Sequence, residues 1–134
     1  MDARIRVGVL IAALGVCGTV APCGLGAQDS LPPGVTREMV DRGKKVFTGP
    51  GMCFACHGME GKGAVGPNLA DTVWIHSRGE YEKIVALIRS GVTSAQSKSG
   101  VIMPPKGGSA ISDADVGAAA AYVWSLSRPA VLSR

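Results

Sequence analysis

The pentapeptide Cys53-Phe54-Ala55-Cys56-His57 carries the clearest chemistry in the sequence. Cys-x-x-Cys-His is the attachment signature of a c-type haem. Two thiols three positions apart lie on one side of a helical turn, where they can add to the two vinyl groups of a haem. The residue that follows then presents its imidazole to the iron. The sequence therefore predicts that Cys53 and Cys56 form thioethers and that His57 is an axial iron ligand.

Three other interpretations of this motif are weaker. A thioredoxin-type redox pair needs a βαβ setting, which the sequence lacks. A zinc site could draw on Cys53, Cys56, His57 and His76, but adjacent ligands strain a tetrahedral site and no second Cys-x-x-Cys is present. A disulfide between the two cysteines would close only a very small loop and would stabilise the fold little.

The second axial ligand has to come from elsewhere in the chain. The candidates are Met103, Met52, Met59, Met39 and His76. Two of the methionines are too close to the attachment motif, and Met39 falls on the first predicted helix, where a core role explains it. Met103 precedes Pro104-Pro105, which fix the backbone immediately after it. We expect Met103 to be the second ligand, with His76 as the alternative.

The elements that must position these residues are helical. One helix is predicted after a cap at Thr36, a second near residues 80–89, and a third from a cap at Ser112 to a stop before Pro129. Gly91 is placed to end the second helix in the left-handed conformation. No strand pattern or internal repeat is present, so the sequence predicts an all-α fold with long irregular connections.

Composition explains why such a fold would need a cofactor. The chain has 134 residues, 46% hydrophobic and 18% charged, which is typical of one folded domain and excludes a disordered polyelectrolyte. The net charge is +4 without any basic run, so no nucleic acid partner is expected. Aromatic residues are only 4% and glycines number 19, which leaves few large side chains to fill a core. A small domain of this kind often depends on a bound cofactor for stability.

The N-terminus predicts export. Arg4 and Arg6 precede an apolar run over residues 7–16, and no charge appears again before Asp29. This is the layout of a secretory signal, with cleavage expected after Ala27. An uncleaved membrane anchor through residues 7–28 and a lipoprotein signal at Cys17 are alternatives. All three would place the rest of the chain in the periplasm, free or tethered to the outer face of the cytoplasmic membrane.

On these motifs the chain resembles the class I c-type cytochromes, most closely small bacterial monohaem cytochromes and the cytochrome domains of C-type haem-copper oxidases. The resemblance covers about residues 36–127. It is carried by the Cys-x-x-Cys-His pentapeptide, Gly66-Pro67-Asn68-Leu69, Trp74-Ile75-His76, Met103-Pro104-Pro105 and the last helix around residues 121–126. It implies an all-α cytochrome c fold of three to four short helices, with the first and last helices crossing and the loops wrapped around one covalent haem c. The expected organisation is a signal peptide over 1–27, a leader loop over 28–35, a cytochrome c domain over 36–128 and a tail over 129–134.

The resemblance also implies roles for individual residues. The Pro67 carbonyl is expected to accept the second ring N–H of His57 and fix its orientation. Trp74 either packs in the core or donates to a haem propionate. Gly43 is expected at the helix crossing, against Tyr122 or Trp124. Lys62, Lys98 and Lys106 either ring the haem edge or are ordinary surface lysines.

A haem with both axial positions filled has no open site for substrate, which leaves one-electron transfer between Fe(III) and Fe(II). A methionine thioether favours the reduced state. The expected function is therefore that of a non-enzymatic, monomeric electron carrier in a periplasmic respiratory chain, with a terminal oxidase or dehydrogenase as redox partner. The alternative is a cytochrome subunit held permanently in an oxidase or dehydrogenase complex. A haem-based sensor or peroxidase would require an open or labile iron.

Overall fold

A computed structural model describes residues 30–133 of the chain. Its helices are α1 (Arg37–Phe47), α2 (Phe54–His57), α3 (Tyr81–Ser90), α4 (Asp113–Leu126) and α5 (Pro129–Leu132), with a 3-10 turn at Pro105–Gly108. The described part of the chain contains no strand beyond one isolated antiparallel bridge, between Val92 and Met103. The all-α prediction is confirmed.

The expected signal peptide, its cleavage after Ala27, the membrane anchor over 7–28 and the lipoprotein site at Cys17 all lie outside the described residues. Within residues 30–133, none of the helices has the length and apolarity needed to cross a bilayer.

Helix α1 begins where the sequence predicts. The Thr36 hydroxyl accepts a hydrogen bond from the Met39 amide at 3.3 Å, which satisfies one of the free N–H groups of the first turn. Hydrogen bonds from backbone N–H and from Thr36 lower the pKa of Glu38 in that turn. The inward side of the helix buries Val40, Val46 and Phe47.

Helix α4 is the central element of the core. A capping box starts it: the Asp115 amide donates to the Ser112 hydroxyl at 3.1 Å, and the Ser112 amide donates back to the Asp115 carboxylate at 3.3 Å. Its run from residue 118 to 125 is buried all round, which an alanine-rich sequence allows because small side chains let neighbouring elements approach closely.

The crossing of α1 and α4 depends on Gly43. A Cβ atom at this position would collide with the backbone of Ala118 and would lie 2.8 Å from Cβ of Tyr122. One turn further along, the rings of Phe47 and Tyr122 meet edge to face, with centroids 5.3 Å apart. The helix crossing expected at Gly43 is present, and Tyr122 rather than Trp124 is its aromatic partner.

One hydrogen bond attaches α3 to α4, and another attaches α5 to α1. The Tyr81 hydroxyl of α3 donates to the Gly117 carbonyl at 3.3 Å. Residues 129–134 were expected as a tail, and they contain the extra turn α5, whose Val131 is buried in the core. Proline ends one helix but fits the first position of the next, so Pro129 serves both. Arg37 donates to the Val131 carbonyl at 3.3 Å.

Candidate functional site

An apolar cleft lies among α2, α3 and the loops between the helices. Together with the solvent-filled space at its open mouth it spans about 1170 Å³. Its walls include every residue that the sequence predicts for the site, namely Cys53, Cys56, His57, Pro67, Trp74 and Met103. His76 lines the same cleft.

His57 is the last residue of α2 and is only 9% exposed. Its ring Nδ1 lies 2.9 Å from the Pro67 carbonyl oxygen, the contact that the resemblance implied. Because a carbonyl can only accept, Nδ1 carries the proton, which leaves the lone pair of Nε2 free to bind a metal. The loop is held close by the Gly66 amide, which donates to the Cys56 carbonyl at 2.8 Å. A Cβ at Gly66 would press on the imidazole at 3.0 Å, so glycine lets the loop approach the ring.

The two cysteines flank the single turn of α2. The His57 amide donates to the Cys53 carbonyl at 3.0 Å, which forms the turn and brings both thiols to the cleft. Both are free thiols. Burial raises the pKa of the half-buried Cys53, whereas Cys56 is exposed. Met52, just before the motif, has a φ of +53°, an uncommon value for a residue other than glycine.

Met103 is held to the end of α3 by backbone hydrogen bonds. The Val92 amide donates to the Met103 carbonyl at 2.7 Å, and the Met103 amide donates back to the Val92 carbonyl at 2.9 Å. Gly91, the C-cap of α3, has a φ of +70°, as its predicted capping role requires. A Cβ there would collide with the Met103 carbonyl oxygen and lie 2.7 Å from the Pro105 nitrogen. The glycine therefore ends the helix and also admits the methionine loop.

The lysines differ from one another. Lys106 donates to the Ile111 carbonyl at 2.9 Å and pairs with Asp113, the first residue of α4, at 3.0 Å, and it does not line the cleft. Lys62 pairs with Glu60 at 2.6 Å on the surface. Lys98 is exposed and makes no hydrogen bond or ion pair with any described residue.

Trp74 is half-buried in the cleft wall. Gly79, with a φ of +79°, lies against the indole, since a Cβ there would be 2.6 Å from its Nε1. Trp74 lines the cleft, and its indole N–H donates no hydrogen bond to any described residue. A hydrogen bond from Trp74 to a haem propionate stays a prediction, as do the ligand roles of Met103 and His76.

Sequence reasoning missed the contact behind this wall. The Arg128 guanidinium stacks over the Trp124 ring, 4.5 Å from its centroid, and Nη2 lies 3.5 Å from the Gly79 carbonyl oxygen. Burial lowers the pKa of Arg128. Arg128 lies beyond the end of α4, so the helical spacing rule does not predict its contact with Trp124. Nothing in the sequence indicated that the same guanidinium would reach Gly79.

The alternative of a zinc site finds no support in the arrangement of ligands. Within residues 30–133, no three His, Cys, Asp or Glu side chains come together as a metal-binding group. The cleft is instead lined by two imidazoles, of His57 and His76, and two thioethers, of Met52 and Met103, which are side chains of the kind that ligate haem iron.

Comparisons with known proteins agree with the fold and the motif. A family model described as cytochrome c oxidase, cbb3-type, subunit III matches residues 38–123. The chain is 38% identical over 87 residues to the cbb3-type cytochrome c oxidase subunit CcoP of Rubrivivax gelatinosus, covering 61% of this chain and 25% of that protein. It is 38% identical over 53 residues to subunit FixP of Sinorhizobium medicae, covering 37% of this chain and 18% of that protein. The chain thus spans a quarter or less of the length of these curated relatives.

Among solved structures, the chain is similar to cytochrome CL from the marine methylotroph Methylophaga aminisulfidivorans. The TM-score is 0.52 at 20% identity, covering 66% of this chain and 53% of the other. At that identity the likeness concerns the fold alone. It agrees with a helical domain in which loops surround a cleft.

Proposed function

Because the chain belongs to the family of cbb3-type cytochrome c oxidase subunit III, we propose that it binds one haem c and relays electrons within a terminal oxidase assembly. In this proposal Cys53 and Cys56 would hold the haem through thioethers, and His57 and Met103 would ligate its iron. The chain is a class I c-type cytochrome domain, and its reaction is the gain and loss of one electron. The proposed location is the periplasmic side of the cytoplasmic membrane.

One observation carries the proposal. The His57 imidazole and the Met103 thioether line the same apolar cleft as the two cysteine thiols, although 46 positions separate the histidine from the methionine in sequence. The residues present therefore fit a covalently attached haem. A haem held there would supply a one-electron couple between Fe(III) and Fe(II).

The residues of the chain have distinct tasks in this function. The Pro67 carbonyl keeps the proton on Nδ1 of His57 and orients the ring, which also raises the basicity of the ligating nitrogen. The apolar walls disfavour the additional charge of the ferric state, and the soft thioether does the same, so a positive reduction potential is expected. If His57 and Met103 both ligated the iron, no site for oxygen or peroxide would be left, and the haem would supply electron transfer.

The sequence predicts a soluble or tethered electron carrier, with a permanently bound subunit as the alternative. The relatives are named as subunits of a cbb3-type oxidase, which favours the bound subunit. The oxidase itself is an enzyme, and in this proposal the present chain is its electron-transfer component. Its partners are then the other oxidase subunits and an electron donor.

The spectrum of the full chain, produced with periplasmic haem-attachment machinery, tests the ligands. We expect a sharp reduced α band and, in the oxidised protein, the weak far-red band of thioether ligation. Met103→Ala should abolish the far-red band, whereas Met59→Ala, which removes an exposed thioether outside the cleft, should leave it intact. A protein that matures without covalent haem, or a far-red band that survives Met103→Ala, would contradict the assignment.

Membrane extraction tests the assembly. A bound subunit should stay with the membranes through a high-salt wash and purify with oxidase activity after detergent treatment. Release of the chain by salt alone would instead support the freely diffusing carrier.

A further inference from the structure

The turn that follows Met103 is held by an interaction that the proposed function does not use. Lys106 lies three residues after the methionine, and only 29% of its side chain is exposed. Its ammonium donates to the Ile111 carbonyl at 2.9 Å and pairs with the Asp113 carboxylate at 3.0 Å. Ile111 is a core residue and Asp113 opens α4, so these contacts fix the loop to the hydrophobic core and to the first turn of α4.

The backbone of Lys106 makes this arrangement more specific. Its φ is +53°, in the left-handed region, where a lysine is less favourable than a residue that tolerates this backbone conformation. Glycine or asparagine would adopt this turn at lower cost. The turn alone does not explain a lysine here, whereas the two contacts of its ammonium group do.

The same ion pair extends to α3. Arg89 lies 3.6 Å from the other oxygen of Asp113, and α3 ends at the glycine that precedes Val92. The methionine segment is thus fixed at two points, by the Val92 bridge at Met103 itself and by the Lys106 contacts three residues later.

We propose that Lys106 is a positioning residue that keeps the Met103 thioether in place over the cleft and so determines how readily the sixth coordination position opens. This inference rests on the proposed function, because it takes Met103 as the iron ligand. Loss of the ammonium would remove the contacts of the 104–108 turn with Ile111 and Asp113, and would leave the Val92 bridge and the hydrogen bonds that Ser109 donates to the Lys106 carbonyl. The thioether would then be displaced more readily by an external ligand.

The test compares how tightly imidazole binds to the oxidised full chain in wild type and in Lys106→Met. Loss of the far-red band measures the binding. We expect the variant to bind imidazole about tenfold more tightly, the change expected when a charge-assisted hydrogen bond is lost. Exchange of the Met103 amide proton should rise as well, and that measurement does not depend on the iron. Lys98→Met is the matched control, since it removes the same charge from an exposed residue without contacts.

A second variant separates positioning from folding. Lys106→Asn suits the left-handed backbone and lacks the ammonium. It should unfold at a denaturant concentration close to that of wild type and still bind imidazole more tightly. If both Lys106 variants bind imidazole and exchange the Met103 amide as Lys98→Met does, the positioning role is refuted while the haem assignment stands. If wild type itself lacks the far-red band, the ligand assignment and this inference both fail.

Discussion

Val92 and Met103 exchange a reciprocal pair of backbone hydrogen bonds, at 2.7 and 2.9 Å, immediately after the end of α3. The pairing uses main-chain groups only, so it leaves the thioether free to face the cleft. It also explains how a methionine in a loop of prolines and glycines acquires a defined position. The end of α3 and the proposed iron ligand are therefore one structural unit.

Substitution of Gly91 should break that unit. In Gly91→Ala the new Cβ meets the Met103 carbonyl and the Pro105 nitrogen, both of which belong to backbone and cannot rotate away. We expect a loss of about 3 kcal/mol in the free energy of unfolding, from left-handed strain plus overpacking. The far-red band of the matured protein should weaken at the same time.

Gly100→Ala is the control for this change. Gly100 has a φ of +78°, but a Cβ there would meet nothing within 4 Å. Gly100→Ala should therefore lose only the cost of backbone strain, about 1 kcal/mol in the free energy of unfolding, and keep the far-red band. Equal effects of the two substitutions on stability and spectrum would mean that the close approach to Met103 is unimportant.

The helix crossing makes a second prediction. Gly43→Ala gains about 1 kcal/mol in helix propensity, but its Cβ collides with the Ala118 backbone, so α1 and α4 must separate. We expect a net loss of about 2 kcal/mol or more, measured by urea unfolding. Gly117→Ala is the matched change on α4, where only the Tyr81 hydroxyl, at 3.3 Å, has to yield. It should leave stability within about 1 kcal/mol of wild type, and a similar loss in both variants would contradict the close-packing argument.

The helices were predictable because their signals are local. Caps at Thr36 and Ser112 and the C-cap at Gly91 depend on backbone groups a few residues away, and each occurs where the sequence predicts it. The motif at Cys53 was predictable for the same reason, since its chemistry requires a fixed spacing. The sequence does not predict the extra turn at Pro129, because a proline after a helix signals its end and not the start of another.

Contacts between segments that are distant in sequence could not be predicted from such local signals. The pairing of Val92 with Met103 depends on how a loop returns to the end of a helix, and no spacing rule encodes that. Lys106 resembles any surface lysine in the sequence, and its contacts with Ile111 and Asp113 appear only once the turn is folded. The contact of His57 with Pro67 was anticipated from the family resemblance and not from physical pattern alone.

Acid should weaken the joint between α1 and α4. Two hydrogen bonds hold the pKa of Asp115 below its ordinary value. The larger effect comes from the Ser112 hydroxyl, and the next from the Arg42 guanidinium, which lies 2.8 Å from the Asp115 carboxylate. A carboxylate whose pKa is lowered by folding stabilises the protein above its unfolded pKa, near 4, and this contribution disappears as pH falls through the lower folded value. The free energy of unfolding of wild type should therefore decrease between about pH 5 and pH 2.

Asp115→Asn should flatten part of this dependence, because the substituted side chain does not titrate. Asp41→Asn serves as the control, since Asp41 is exposed on α1 and has no ion pair or hydrogen bond with a described residue. Urea unfolding midpoints at several pH values give the comparison. An acid dependence in Asp115→Asn as steep as that of wild type would show that the Arg42–Asp115 contact contributes nothing to it.

The free indole N–H of Trp74 leads to a last prediction, concerning the pH dependence of the reduction potential. If this group donates to a haem propionate, it favours the ionised propionate and lowers its pKa. Trp74→Phe keeps an aromatic ring in the cleft wall but removes the donor, so the propionate pKa should rise. The bend in a plot of midpoint potential against pH should then move to higher pH. Trp124→Phe is the control, because Trp124 lies outside the cleft and contacts Arg128 instead. It should lower stability while leaving the bend in place, and an unmoved bend in Trp74→Phe would assign Trp74 to packing alone.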